Sequence, residues 1–198
     1  LPISDLVGRR DERRRLGETT ASARVVTIIG PGGVGKTRLA LQVAHDLVDR
    51  HPDGVWWCDL AALAPDAGAA DIATTAAVAL GLDDRAGDTV LERVAAFLAT
   101  RRALVVFDNC EHLVGAAAEV IDRVVCSSSS LVVMATSREP LAIDGEHRMR
   151  LEPLTTPRSS EVSDAVLLFL ERVRMVNPEA TTDGPAWDAV LEICRTLD

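Results

Sequence analysis

Four short apolar runs, Val25–Ile29, Val55–Cys58, Leu104–Phe107 and Leu131–Ala135, alternate along the chain with stretches of helical spacing. Runs without polar alternation suit strands buried on both faces, as in a parallel sheet. The stretches between them read as amphipathic helices. Leu39, Val43 and Leu47 fall on one helical stripe beside Ala40 and Ala44. Ile72, Ala76 and Leu80 form a second, and Val90, Leu91, Val94 and Leu98 a third, with Asp88 as the expected N-cap. Val120, Ile121 and Val124 form a fourth. This alternation predicts an α/β fold, a doubly wound and mostly parallel five-stranded sheet, with Arg148–Leu151 as the fifth strand.

The pattern changes after Pro153. Thr155-Thr156-Pro157-Arg158-Ser159-Ser160 is polar and rich in turn formers, and reads as a linker. Helical spacing returns over Asp164–Val176 and stops before Pro178. A second helix starts near Pro185 and carries Trp187, Val190, Leu191, Cys194 and Leu197, with proline suited to a first helical turn. The expected organisation is a sheet domain over 1–154, a linker over 155–160 and the start of a helical subdomain over 161–198. Leu1 rather than Met stands first and Asp198 falls inside a helical pattern, so a piece of a longer protein is expected.

Between the first strand and the first striped helix stand Gly30-Pro31-Gly32-Gly33-Val34-Gly35-Lys36-Thr37. They fit G-x-x-x-x-G-K-[ST], the phosphate-binding loop of nucleoside triphosphatases, in the strand–loop–helix setting that separates such a loop from a chance match. Gly32, Gly33 and Gly35 are expected to take backbone angles barred to other residues and to leave room for a phosphate. Backbone N–H groups and the helix N-terminus would surround the anion. Lys36 is expected to reach the β- and γ-phosphates, and the Thr37 hydroxyl to ligate Mg²⁺. The plainer alternative is a Gly-rich turn before a helix.

A partner acid for Mg²⁺ is expected at Asp108, at the carboxyl end of the third run, where ligands of open α/β sheets bind. A turn aspartate is its plainer reading. The following residue, Asn109, can hydrogen-bond water but cannot accept its proton, which argues for slow hydrolysis. Glu111 lies near in sequence, with no direction assigned to it. Arg138, after Ala135-Thr136-Ser137, could read the γ-phosphate through its planar fork, or could be a surface arginine of the loop.

The charge balance narrows the partners. With 21 Lys and Arg against 30 Asp and Glu, the net charge is −9, which repels nucleic-acid phosphates. The cluster Arg9, Arg10, Arg13, Arg14 and Arg15 reads as a solvated helix face rather than a nucleic-acid patch. No apolar run is long enough for a membrane helix. Cys58, Cys110, Cys126 and Cys194 are scattered and read as buried thiols of a reducing cytoplasm. The four histidines show no metal-ligand spacing.

Taken in order, Val7-Gly8-Arg9, GPGGVGKT, VVFDNCEHL (Val105–Leu113), ATSREPL (Ala135–Leu141), Gly145-Glu146 and Leu151-Glu152-Pro153-Leu154 resemble one family. It is the STAND class of signal-transduction ATPases, in the branch of actinobacterial transcriptional regulators of the antibiotic-regulatory and LuxR-like types, with NB-ARC domains as relatives. The resemblance implies ATP/ADP and Mg²⁺ as ligands. It implies base contacts by Val7, Gly8 and Arg9, and phosphate contacts by Gly30, Gly32, Gly33, Val34, Gly35, Lys36, Thr37 and Arg38. Pro153 would also line the nucleotide. Thr37 and Asp108 would hold the metal, and Lys36, Asp108, Asn109 and Arg138 would serve hydrolysis and phosphate sensing. DNA-binding and sensor domains of the same protein, and nucleotide-dependent self-association, are the implied partners, without direct nucleic-acid or membrane contact by this segment. The implied activity is a slow ATP/ADP switch. A faster, oligomer-dependent motor of the same broad fold is the alternative. A small-substrate kinase would need an acceptor pocket and base that the sequence does not display.

Overall fold

The computed structural model describes residues 6–83, 88–155, 163–177, 179 and 184–196. They fall into two compact units: residues 11–151, and residues 6–10 together with those from Glu152 onward.

In the first unit, strands β1 (Val25–Ile29), β2 (Val55–Asp59), β3 (Leu104–Asp108), β4 (Val132–Ser137) and β5 (Glu146–Arg150) form one sheet in the order β2-β3-β4-β1-β5. Every pairing is parallel. Helices α2 (Lys36–Asp46), α3 (Ala69–Ala79), α4 (Val90–Leu98) and α5 (Val114–Cys126) connect the strands. A helix α1 (Arg10–Thr19) precedes β1. The three central strands are almost wholly buried, which is why their sequences are predominantly apolar, broken only by Thr27 and by the polar tips Asp108, Thr136 and Ser137. On one face Val105, Phe107, Val133 and Ala135 meet Ile72, Ala76, Val94, Leu98, Val120, Ile121 and Val124 in a continuous core.

β5 differs from its expected span by two residues at its start. Its sequence, Glu-His-Arg-Met-Arg, buries the side chains of Met149 and Glu146 and leaves the others largely exposed, because it is an edge strand. Charged side chains there discourage pairing with another chain's edge. The cap of α4 also differs from expectation. The Thr89 hydroxyl accepts from the Glu92 N–H at 3.2 Å, while Asp88 contributes only its carbonyl, to Arg93.

The arginine cluster is not one solvated face. On α1, Arg13 pairs with Asp46 at 2.5 Å, and Arg14 lies between Asp11 and Glu18. Arg9 is buried, 7% exposed, with a left-handed backbone (φ 61°). Cys58, Cys110 and Cys194 are buried, and burial pushes the Cys58 thiol up to about 12. Cys126, at the end of α5, is exposed, contrary to the expectation of buried thiols throughout.

In the second unit, α6 (Asp164–Val176) and α7 (Pro185–Thr196) pack through Val166, Val190, Leu191 and Cys194, flanked by Phe169, Leu170 and Trp187. Ser163 caps α6 by accepting from the Val166 N–H. Gly8 lies so close to the start of α6 that a Cβ there would sit 2.6 Å from the Asp164 carboxyl carbon. The expected linker lies, apart from Thr155, outside the described residues.

Candidate functional site

The parallel register sets the tips of three neighbouring strands on one edge of the sheet. Ile29 stands opposite Ser137, and Phe107 opposite Ala135, so the loop after β1, Asp108 and Arg138 leave the sheet side by side.

The loop's geometry explains its glycines. Gly35, immediately before α2, has φ 99°, and Gly33 has φ 78°, both left-handed. Gly32 does not share that backbone. A Cβ there would make ordinary contact with the Arg138 guanidinium at 3.4 Å. At Gly30 a Cβ would lie 2.7 Å from the Leu151 carbonyl oxygen, which arrives as Leu151 N–H donates to Ile29 O at 2.7 Å.

Lys36, 7% exposed, donates through Nζ to the carbonyls of Gly30 at 2.9 Å and Pro31 at 3.0 Å. The ammonium is thereby tied back across its own loop. Thr37, at the first turn of α2, donates to Asp108 Oδ1 at 2.9 Å. The Thr136 hydroxyl, from β4, donates to the same oxygen at 2.5 Å and accepts from the Asn109 N–H at 3.0 Å. Asn109 takes a left-handed backbone (φ 63°), a conformation asparagine tolerates, and its amide donates to Asp59 Oδ1 and Asp108 Oδ2.

Asp108 is 2% exposed. Burial pushes its carboxyl above the ordinary aspartate value, the neighbouring Asp59 adds to the shift, and the hydrogen bonds from Thr136 and Thr37 oppose it. A hydroxyl and a carboxylate, both hard oxygen donors, thus stand together around a buried charge that a cation would offset. That donor set fits Mg²⁺, which usually takes few protein ligands beside phosphate and water.

Arg138, at the end of β4, is mostly exposed. Its Nε pairs with Glu111 Oε1 at 3.3 Å, and its fork lies against Gly32. Glu111 belongs to a 3-10 turn, Cys110–His112, directly after Asn109. The loop following Arg138 is stapled by Glu146, whose carboxylate accepts from the N–H groups of Leu141 and Ala142 and from Arg148.

Of the sequence-named residues, the structure brings together Gly30, Gly32, Lys36, Thr37, Asp108, Asn109 and Arg138 in the first unit. Val34 and Arg38 belong to the same loop and helix. Val7, Gly8, Arg9 and Pro153 belong to the second unit. Sequence reading missed Thr136 as the bond between Asp108 and Asn109, Asp59 as the asparagine's anchor, and Glu111 as the partner of Arg138. A threonine buried in an otherwise apolar run was the available signal for the first.

A phosphate-binding loop at the end of a central parallel strand, with an acid two strands away, defines the P-loop nucleoside triphosphatase class. Two solved structures share the fold. One is the Walker-type ATPase of Pyrococcus abyssi (TM-score 0.62, 16% identity, 96% of this chain and 63% of that one). The other is a STAND protein with a tetratricopeptide repeat sensor from Pyrococcus horikoshii (TM-score 0.58, 15% identity, 98% of this chain and 28% of that one). Residues 13–177 match the NB-ARC domain, and the chain belongs to the NB-ARC family. A Mycobacterium tuberculosis protein named as an HTH-type transcriptional regulator is 41% identical over 90% of the chain, which spans 19% of that relative. The regulatory protein AfsR of Streptomyces griseus is 30% identical over 96% of the chain, which again spans 19% of it. Among the described residues no helix is long and apolar enough to cross a membrane.

Proposed function

We propose that this chain is the ATP/ADP-binding switch domain of a multidomain transcriptional regulator, hydrolysing slowly. The observation that carries the reading is the hydrogen-bonded relay Thr37–Asp108–Thr136–Asn109, which ties the phosphate loop to the tips of β3 and β4. Lys36 and the loop N–H groups bind the β- and γ-phosphates, while Thr37 and Asp108 hold Mg²⁺, which neutralises charge on the phosphates when bound. Arg138 reads the terminal phosphate. Val7, Gly8, Arg9 and Pro153 contribute the base side, and the boundaries 1–154, 155–160 and 161–198 mark the sheet domain, linker and helical subdomain.

The switching energy is the difference between ATP and ADP in the two states, since a ligand shifts an equilibrium only through differential affinity. ADP holds a closed arrangement, and exchange for ATP favours an open, self-associating one. The names of the mycobacterial and Streptomyces relatives support a regulator with DNA-binding and sensor parts outside this segment. Asn109 after Asp108 supports slow turnover, below ~1 s⁻¹, the low end for enzymes.

Isothermal titration of the chain with ADP and ATP tests the reading. Saturable binding that weakens roughly 10- to 150-fold in Lys36→Ala, the loss of one charged hydrogen-bonding group, is expected. No binding, or binding indifferent to that change, would overturn it.

A further inference from the structure

Glu111 and Arg138 form an ion pair between two side chains that are held very differently. Glu111 stands in the 3-10 turn Cys110–His112, which is pinned on both flanks. On one side the Asn109 N–H donates to the Thr136 hydroxyl, and the buried Cys110 thiol lies 3.5 Å from the Phe107 carbonyl. On the other, the His112 ring reaches the Leu63 carbonyl at 3.2 Å, and the Leu113 N–H donates to Cys110 O at 2.9 Å. The Glu111 side chain is 18% exposed, against 66% for Arg138. Among the described residues its carboxylate has one donor, Arg138, since Oε2 is buried without a hydrogen-bond partner. A carboxylate this poorly supplied depends on the donor it has.

The guanidinium is divided between two neighbours. Its Nε lies 3.3 Å from Glu111 Oε1. Its Nη2 is the atom nearest the phosphate loop: measured from a Cβ built on Gly32, Nη2 lies at 3.4 Å, Cζ at 3.8 Å and Nε at 3.9 Å. Glu111 thus engages the inner nitrogen and leaves the forked end, which pairs bidentately with phosphate, toward the loop. A contact built to withdraw the arginine would engage the fork itself. An exposed, unheld arginine gives up rotamer freedom when a ligand fixes it, and one already held at Nε gives up less.

We propose that Glu111 is the positioning residue that sets this domain's preference for ATP over ADP, by holding Arg138 at Nε with its fork toward the phosphate loop. The inference rests on the ATP/ADP-switch reading above, in which Arg138 meets the terminal phosphate. When ATP binds, the fork takes the γ-phosphate as its partner while Nε keeps Glu111. ADP has no such phosphate, so the positioning is felt by ATP alone and enters the differential affinity that drives the switch.

The test is titration calorimetry with ATP and with ADP, each with Mg²⁺, on the wild-type chain, Glu111→Ala, Glu111→Gln, Arg138→Ala and the double alanine variant, with thermal melts to establish folding. Arg138→Ala should weaken ATP about tenfold relative to ADP. Glu111→Ala should weaken ATP about fivefold relative to ADP, leave ADP within about twofold of wild type, and add nothing to Arg138→Ala in the double variant. Glu111→Gln keeps an acceptor oxygen without the charge, should lose about threefold, and remains readable if the alanine variant does not fold. An ATP preference equal to wild type in every folded Glu111 variant overturns the proposal. So do tighter ATP binding, which marks a restraint, equal weakening of both nucleotides, which marks a structural residue, and losses that add in the double variant. If Arg138→Ala keeps the wild-type preference, the sensing role fails and the proposal with it. Absence of saturable nucleotide binding by the wild type is the separate failure of the switch reading, and takes the proposal with it.

Discussion

Asp108 and Arg138 leave the sheet from adjacent strands, yet they are held in opposite ways. Asp108 is sealed in, with one carboxylate oxygen accepting from two threonine hydroxyls on two different elements. Arg138 is 66% exposed in its side chain and has a 3.3 Å ion pair with Glu111. An anchored acid suits a ligand that is the same in every state, such as a metal. A loosely held arginine suits a ligand that comes and goes, such as a terminal phosphate. On the proposed switch reading, the difference teaches that the site fixes the part that would meet the metal and leaves the part that would meet the terminal phosphate free to change partner.

The strongest way to break this contrast is to cut the anchor. Thr136→Val leaves the Asn109 N–H without its acceptor and Asp108 with one donor fewer, and should lower the unfolding free energy by about 1–3 kcal/mol in urea titration. An unchanged midpoint would mean that the relay holds nothing.

Next, Arg138→Ala should weaken ATP about tenfold relative to ADP, equivalent to about 1.4 kcal/mol, while stability moves by less than about 0.5 kcal/mol. Equal weakening of both nucleotides would remove the sensing role.

A subtler effect follows from Asp108 itself. Its folded-state value is raised above the ordinary 3.8, so the proton is bound more tightly in the folded chain. Its contribution to stability is therefore fully present below the unfolded value and is lost as pH rises through the folded one. Without nucleotide, Asp108→Asn should melt higher than wild type at pH 7, and the gap should close toward pH 4 in a pH series of thermal scans. A lower melting temperature for the variant at pH 7 would contradict the cost assigned to burying this acid.

The smallest effect is expected far from both tips. Arg13→Ala removes a half-exposed ion pair with Asp46 and should cost less than about 1 kcal/mol, shrinking further in high salt.

Much of the fold could be read from the sequence because burial writes itself into it. β1, β3 and β4 are covered on both faces, so they appear as predominantly apolar runs. β5 is an edge strand with one well-buried apolar side chain, Met149, and its start, at a glutamate, carries no apolar signal. Gly30–Thr37 and Asp108 were legible because their chemistry demands fixed residue types at fixed spacing. Thr136, Asp59 and Glu111 were not, since each acts across strands or turns that only the folded register brings together. Gly32 departs from the expected left-handed backbone, and the side chain beside it is Arg138, which lies more than a hundred residues away in sequence.

That distance has a consequence for how the chain is made. β1 is central, yet its partners are late: Val25 pairs with Val133 on one side and Glu146 on the other. At ribosomal speeds of about 5–20 residues per second, its four apolar residues wait roughly 5–20 s before a neighbouring strand exists. Contacts this remote also make folding slow once the chain is complete. The exposed strand in that interval is a liability of the topology, and the yield of the domain should be sensitive to translation rate in a way that equilibrium stability would not reveal.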